Sequence, residues 1–77
     1  MKKSTPLDSP EYKTIVLRLM EARREAGLSQ KEVAKKLKKT QSFISKIEAR
    51  RSYLDLITFF KLTKHYKKDI RSYFDFL

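Results

Sequence analysis

An all-α domain of five short helices is the fold class that the sequence predicts, and three observations support it. Apolar residues recur at spacings of three and four along most of the chain, the period of a helix with one buried face. Ser, Thr or Asp, which favour helix N-caps, precede these segments. The chain has 77 residues and no internal repeat, which indicates one small domain with a single core.

Helix 1 begins at Pro10, because Ser9 can serve as its N-cap and proline suits the first helical position. Residues 1–9 hold two lysines and few apolar groups, and we expect them to form a flexible basic N-terminal arm. Gly27 ends the helix, since a left-handed residue is common there and glycine adopts that conformation without strain. The apolar stripe between these ends consists of Tyr12, Ile15, Val16, Leu19, Met20 and Ala22.

Helices 2 and 3 are short, and each has its own capping residue. Ser29 and Glu32 have the spacing of a capping box, in which each side chain accepts a hydrogen bond from the other residue's backbone amide. Thr40 can cap helix 3, which we expect to cover about residues 41–48. The inward side chains are Val33, Ala34 and Leu37 in helix 2 and Ile44 and Ile47 in helix 3.

Helices 4 and 5 complete the predicted core. Asp55 can cap helix 4, and Asp69 can cap helix 5. Both segments are rich in large apolar side chains: Leu56, Ile57, Phe59, Phe60, Leu62 and Tyr66 in helix 4, and Ile70, Tyr73, Phe74 and Leu77 in helix 5.

The charge balance of the chain favours a polyanionic partner. Nineteen Lys and Arg outnumber nine Asp and Glu, which gives a net charge of +10 and an isoelectric point near 10.0. Nucleic acid or an anionic membrane surface binds such a chain. With no cysteine and only one histidine, His65, no metal site and no cofactor is expected. No apolar run reaches the roughly 20 residues of a membrane span, so we expect a soluble, cytoplasmic protein.

The spacing from Gln30 to Ile47 predicts a helix-turn-helix. When Gln30 is position one, the small residue Ala34 is fifth, where two helices that cross at roughly 90 to 120° come closest. The outward face of helix 3 holds hydrogen-bonding side chains without a carboxylate, which suits the major groove of DNA. The alternative is a pair of amphipathic helices whose solvated lysines bind nothing. The outward side chains are Gln41, Ser42, Ser45 and Lys46.

The stretch GLSQKEVAKKLKKTQSFISKIE, followed by LDLITFFKL, resembles the Xre family, the Cro and phage-repressor type of helix-turn-helix protein. The resemblance covers roughly residues 12–74 and is most specific at Leu28-Ser29-Gln30, at residues 41–48 and at Leu54-Asp55. It implies a five-helix, Cro/repressor-like fold for residues 10–77. It also implies a dimeric transcriptional regulator. We expect such a protein to bind double-stranded DNA sequence-specifically, without a small-molecule substrate, and at an inverted-repeat operator if its C-terminal aromatic residues form a two-fold interface.

The resemblance also implies roles for individual residues. Gln30 would donate a hydrogen bond to a DNA phosphate, and Gln41, Ser42 and Ser45 would face base edges. The predicted DNA-binding residues are Gln30, Lys39, Thr40, Gln41, Ser42, Phe43, Ser45, Lys46, Arg50 and Arg51.

At three positions more than one interpretation is open. Arg23 and Glu48 match a family ion pair that links helix 1 to the end of helix 3, or else they are two solvent-exposed charges. Phe43 either packs on helix 4 at the edge of the core or presents its ring to a thymine methyl group. His65 is expected at the surface or the edge of the core, without a chemical role.

The chain departs from the family at three positions. The family usually has glycine where this chain has Lys38 and Arg50, and an aliphatic residue where it has Lys39. We therefore expect the turn before helix 3 to be strained or differently set, and the resemblance does not fix the path of the loop after helix 3. These residues also add cations near the expected path of the phosphates.

The C-terminal aromatic segment predicts a two-fold interface, since a domain of this size has more apolar surface there than one helix needs to bury. The alternative is that these residues only close the core. The predicted dimerisation residues are Tyr73, Phe74, Phe76 and Leu77.

Other functions fit the sequence less well. An antitoxin or restriction-control regulator is an alternative within the same class. A helical protein-interaction or membrane-surface module would need one continuous basic amphipathic helix, whereas the cations here are spread over every element. Enzymatic activity is not expected, because the sequence has no glycine-rich phosphate loop, metal cluster or paired carboxylates in an apolar setting.

Overall fold

Four α-helices and a short C-terminal 3₁₀ helix follow one another in the computed structural model, which describes residues 9–77. No strand is present among those residues, so the predicted all-α class is confirmed. The predicted N-terminal arm lies outside the described residues, apart from Ser9. The elements are α1 (Pro10–Glu25), α2 (Gln30–Leu37), α3 (Gln41–Glu48), α4 (Leu56–Tyr66) and the 3₁₀ helix (Ile70–Tyr73).

Each α-helix begins at a side-chain cap that the sequence predicts. Ser9 Oγ accepts a hydrogen bond from the Tyr12 amide at 3.0 Å. At the start of α2 both bonds of the capping box between Ser29 and Glu32 are present. The remaining two caps are Thr40, which accepts from the amide of Phe43, and Asp55, which accepts from the amide of Thr58. The helix starts are therefore fixed by local hydrogen bonding.

The fifth helix is shorter than predicted. Asp69 caps it, accepting from the Arg71 amide at 2.9 Å, but the segment forms one 3₁₀ turn rather than an α-helix. The Ser72 amide donates to the Asp69 carbonyl, the i to i+3 bond of a 3₁₀ turn. So short a segment gains little from helix propagation, and the packing of Tyr73 determines its conformation instead.

The core lies between the four α-helices, and Tyr73 closes it from the C-terminal side. Tyr73 has no exposed surface, and its ring contacts that of Phe59 edge-on, with centroids 5.6 Å apart. The other buried apolar residues are Val16, Leu19, Ala22, Val33, Ala34, Ile44, Ile47, Phe59, Leu62 and Tyr66. The C-terminal segment thus completes the core, which is one of the two roles predicted for it.

Three successive helices end in the same left-handed motif. At the end of α1, Gly27 has φ 73°, the Leu28 amide donates to the Arg23 carbonyl, and the Gly27 amide donates to the Arg24 carbonyl. These two bonds define a Schellman motif. The same pair of bonds recurs at the ends of α2 and α3, with Lys38 (φ 57°) and Arg50 (φ 58°) at the left-handed positions.

Candidate nucleic-acid interface

The helices α2 and α3 pack closely because their facing residues are small or aliphatic. Val33 and Ala34 of α2 are buried, as are Ile44 and Ile47 of α3. The Lys39 amide donates to the Ala34 carbonyl at 2.8 Å and so joins the connecting turn to the helix before it. Residues 38–40 therefore form a short turn that is hydrogen-bonded to the end of α2, and this turn sets the direction of α3.

The turn keeps a backbone conformation that suits glycine, although it contains lysine. Lys38 lies in the left-handed region, with φ 57° and ψ 42°, and Arg50 lies there with φ 58°. A residue with a Cβ atom costs roughly 1–2 kcal/mol in this region. The turn was expected to be either strained or differently set. The structure shows a regular Schellman motif in which Lys38 alone carries the strain. The loop after α3 begins with the same motif, in which Arg50 occupies the left-handed position.

The exposed face of α3 presents hydrogen-bonding groups and one cation. Four residues that the sequence predicts as DNA contacts, Gln41, Ser42, Ser45 and Lys46, are all exposed on this face. The carboxylate of the helix, Glu48, is turned toward α1 and is only 7% exposed as a side chain. The face that points outward therefore offers no negative charge to an approaching polyanion.

Cations flank α3 at both ends. Lys38 and Lys39 precede it, and Arg50 and Arg51 follow it. Among the described residues, none of these four forms a salt bridge; the cations that do are Arg18, Arg23, Lys68 and Arg71. Positive charge at both ends of an exposed helix matches the two phosphate strands that border a groove.

Phe43 lies at the edge of the core. It is half-buried and packs against the buried cluster. The ammonium of Lys39 lies 5.2 Å from the centroid of the Phe43 ring, within the range of a cation–π contact. This contact positions Lys39 next to the exposed face of α3.

A bidentate ion pair joins the end of α1 to the end of α3. Arg23 Nε and Nη2 donate to the two oxygens of Glu48, at 2.7 and 3.1 Å. Arg23 Nη1 also donates to the Leu28 carbonyl at 2.8 Å, so the guanidinium connects α1, the α1–α2 turn and α3. The side chains are 10% and 7% exposed, which makes this a nearly buried and well-bonded pair.

Gln30 is a third member of this cluster, which sequence reasoning did not identify. Its Nε2 donates to Glu48 Oε1 at 2.8 Å. An amide nitrogen has two hydrogens, so the other hydrogen and the amide oxygen remain for further partners. The bond to Glu48 sets the direction in which Gln30 projects from the start of α2.

Tyr66 lies beside the ion pair and is only 5% exposed. Burial raises the pKa of its phenol above the ordinary value, and the negative charge of Glu48 raises it further. The phenol therefore keeps its proton further into alkaline solution than an exposed tyrosine does.

Only part of the predicted dimerisation set is exposed. Tyr73 is in the core, so we leave it out of any proposed interface. Phe76 is half-buried, with the Arg18 guanidinium 5.0 Å from its ring centroid. Phe74 and Leu77 are 37% and 74% exposed.

A larger exposed apolar surface lies on α4, and the sequence analysis did not assign it. Leu56, Ile57 and Phe60 are 66%, 63% and 45% exposed. Leu56 and Phe74 also line one shallow cleft of about 250 Å³, together with Tyr12, Ile15, Leu54 and Phe59. The sequence did contain a signal for this surface, because the apolar face of helix 4 is too wide to be buried completely in one core.

Two further features of the described residues bear on function. Within residues 9–77, no group of three or more histidine, aspartate or glutamate residues is placed to hold a metal ion. No helix in that part of the chain is both long enough and apolar enough to cross a membrane.

Together, the tightly packed α2–α3 pair and the donor-rich face of α3 define a helix-turn-helix module for binding DNA. A model of the helix-turn-helix family matches residues 19–72, which is well over half of the chain. The chain belongs to this family, of the Xre and Cro type, whose members are DNA-binding regulators. The resemblance noted from the sequence is therefore confirmed. A comparison with curated proteins finds no match.

Proposed function

We propose that this protein is a sequence-specific, double-stranded DNA-binding transcriptional regulator that acts in the cytoplasm and inserts α3 into the major groove. The observation that most supports this proposal is the exposed face of α3. It is rich in hydrogen-bonding groups, has no exposed carboxylate and is flanked by cations at both ends. Base edges in the major groove are recognised by such groups, and phosphates by such cations.

The residues of the interface divide between bases and phosphates. Gln41, Ser42 and Ser45 contact base edges, because they lie on the outward face of the recognition helix, with Gln41 and Ser42 in its first turn. Lys46 lies more than one turn beyond Gln41 and reaches a phosphate or a guanine at the edge of the site. The phosphate contacts come from Lys39, Thr40, Arg50 and Arg51, with Gln30 at the start of α2.

Gln30 contacts a phosphate with the amide hydrogen that Glu48 does not use. Its bond to Glu48 Oε1 fixes the amide before DNA arrives. Pre-orientation lowers the entropy lost when the contact forms. The same bond connects the phosphate contact of α2 to the end of the recognition helix.

We further propose that the protein binds as a homodimer at an inverted-repeat operator. The proposed contact surface consists of Leu56, Ile57 and Phe60 of α4, together with Phe74 and Leu77. Leu56 and Phe74 line one cleft, and Phe60 lies about one helical turn beyond Leu56 on α4, so at least these three side chains lie close together. Exposed apolar surface of this kind marks an interaction site. A two-fold dimer requires two half-sites about one helical turn, roughly 34 Å, apart.

Selection of bound sequences from a random duplex library tests these proposals together. The expected result is one enriched motif made of two inverted half-sites, with strong dependence of affinity on salt. Each neutralised phosphate contributes about −0.9 to the slope of log affinity against log salt. Enrichment of no motif, with a salt slope near zero, would rule out sequence-specific DNA binding. A motif without inverted symmetry would contradict the two-fold dimer alone.

A further inference from the structure

A strongly basic groove lies between α2 and α4, away from the outward face of α3. It has a volume of about 420 Å³ and is lined by Lys36, Leu37, Lys38, Lys61, Lys64 and His65. Four of these six residues are lysines, and none is acidic. We call this the α2–α4 groove.

An adjoining cleft extends the groove along the same two helices. This cleft, of about 290 Å³, shares Lys36 and His65 with the groove and adds Lys67, along with Ala26, Leu28 and Tyr66. It too has no acidic residue in its lining. The two depressions therefore form a single band of positive charge, and among the described residues none of its lysines takes part in a salt bridge.

The ends of the helices explain part of this charge but not all of it. The α2 and α4 helices both end beside the groove, with Lys35 and Lys36 in the last turn of one and Lys64 and His65 in the last turn of the other. The C-terminus of a helix is equivalent to about half a negative charge, so one cation at each end more than balances it. Lys38, Lys61 and Lys67 are additional. Lys61 and Lys64 are also three residues apart on one helix, where like charges repel.

The position of Lys38 indicates which polyanion this band suits. Lys38 lines the groove and is also two residues before Thr40, the N-cap of α3. The N-terminal end of a recognition helix enters the major groove, so the DNA backbone passes close to this turn. The groove begins at this point and continues away from it along α4. When α3 is bound to DNA, the strand that leaves the binding site passes this turn and can continue into the groove. Nothing comparable would place an acidic peptide at this turn.

We propose that the α2–α4 groove is a second phosphate-binding surface, which binds the DNA backbone that flanks the segment contacted by α3. This inference rests on the proposed function and deepens it. DNA is stiff over about 150 base pairs, so flanking DNA reaches a surface beside the recognition helix only when it bends toward the protein. The groove therefore makes affinity depend on the length and flexibility of the flanks, at positions whose bases the protein does not touch.

Duplex length separates flanking contacts from contacts inside the site. The experiment uses two duplexes, one limited to the selected operator and one extended by about one helical turn, roughly 10 base pairs, on each side. The variant Lys61→Ala with Lys64→Ala removes two cations from the groove. The control, Lys13→Ala with Arg24→Ala, removes two exposed cations from α1 that line neither depression.

The wild-type protein is expected to bind the extended duplex more tightly and with a steeper salt slope than the short one. The groove variant should lose this difference, with a slope lower by up to about two per subunit on the extended duplex only. The control variant should keep the difference. On the short duplex the groove variant should match the control. Bending, measured as energy transfer between dyes at the ends of the extended duplex, should fall in the groove variant alone.

Equal losses for the groove and control variants on both duplexes would overturn the inference, since only net charge would then matter. A length effect that survives in the groove variant would overturn it too. A polyglutamate peptide supplies the remaining comparison. If it binds the wild type but not the groove variant, and both proteins bind both duplexes equally, the groove is a site for an acidic protein instead. Failure of the wild type to bind either duplex would refute the proposed function itself.

Discussion

Arg23 and Glu48 lie 2.7 Å apart in a nearly buried ion pair, although 24 residues separate them in the chain. The same carboxylate accepts a hydrogen bond from Gln30 at the start of α2. One glutamate thus connects the end of α1, the start of α2 and the end of α3. The stability of the domain and the docking of α3 depend on the same contact.

Replacing Glu48 by Ala is expected to destabilise the fold by about 3–5 kcal/mol, because Arg23 would remain buried without its partner. Gln30 would lose a hydrogen bond as well. The free energy of unfolding in urea measures the effect. The control is Glu25→Ala, which breaks the more exposed pair with Lys68 and should cost less than about 1 kcal/mol. Equal costs for the two variants would show that the buried pair has no special role.

The left-handed lysine in the turn before α3 allows stability and DNA affinity to be changed in opposite directions. Lys38→Gly removes the strain of a Cβ atom at φ 57° and should stabilise the fold by about 0.5–1 kcal/mol, after the greater entropy of glycine in the unfolded chain is counted. It also removes a cation, so the salt slope of DNA binding should fall by about one per subunit.

The matched control for this variant is Lys35→Gly, which removes the same charge from a right-handed position inside α2. Glycine there should destabilise the fold by about 1 kcal/mol. Thermal unfolding of both variants distinguishes the two cases. If both are destabilised alike, the Lys38 backbone is not strained in the folded protein.

Stability should decrease in alkaline solution because of buried tyrosine. Burial raises the pKa of Tyr66 above its ordinary value of 10.0. Below that pH both the folded and the unfolded chain hold the phenolic proton. As the pH rises past it, the unfolded chain releases the proton first, so the folded state loses stability.

Tyr66→Phe should therefore reduce the loss of unfolding free energy between pH 9 and 11, measured in urea. The loss should not vanish, because burial also raises the pKa of Tyr12 and Tyr73. An identical pH dependence in the wild type and Tyr66→Phe would contradict this account.

Self-association is expected to depend on α4. Ile57→Ser should weaken the dimer by about tenfold or more, since burying an isoleucine contributes roughly 1.5–3 kcal/mol. Leu17→Ser is the control, because Leu17 is 54% exposed on α1 and lies outside the proposed surface. Sedimentation over a range of concentrations measures both. A wild-type protein that stays monomeric at high micromolar concentration, free and on DNA, would exclude the dimer.

Local chemistry made much of the fold predictable. Ser9, Ser29, Thr40 and Asp55 cap helices through bonds to residues three positions away, and such bonds can be recognised in a sequence. The left-handed residue at Gly27 was predictable for the same reason.

The features that sequence reasoning missed depend on contacts between distant segments. Gln30 bonds to Glu48 only because the start of α2 and the end of α3 meet in space. Tyr73 was assigned to a dimer surface, but it is buried in the core. Its burial depends on packing against Phe59, and the periodicity of the sequence does not reveal this contact. The α2–α4 groove combines Lys36 and Lys61, which are far apart in the chain and unremarkable when considered singly.

The recognition helix provides the most specific prediction. A glutamine amide can accept from N6 and donate to N7 of adenine at once, and such a pair contributes about 1–3 kcal/mol of discrimination. Gln41 is exposed at the first position of α3. Gln41→Ala should therefore relax the preference at one base position in each half-site, while non-specific affinity and the salt slope stay nearly unchanged.

The opposite behaviour is expected when Arg50 and Arg51 are both replaced by Ala. Binding to every sequence should weaken, and the salt slope should flatten by up to about two per subunit, because only phosphate contacts are lost. Both variants are titrated against the selected operator and a scrambled duplex at two salt concentrations. Since the exposed Gln41 side chain makes no hydrogen bond to the described residues, its replacement tests the interface rather than folding. If Gln41→Ala lowers the affinity for both duplexes equally, Gln41 contacts the backbone and α3 is docked differently.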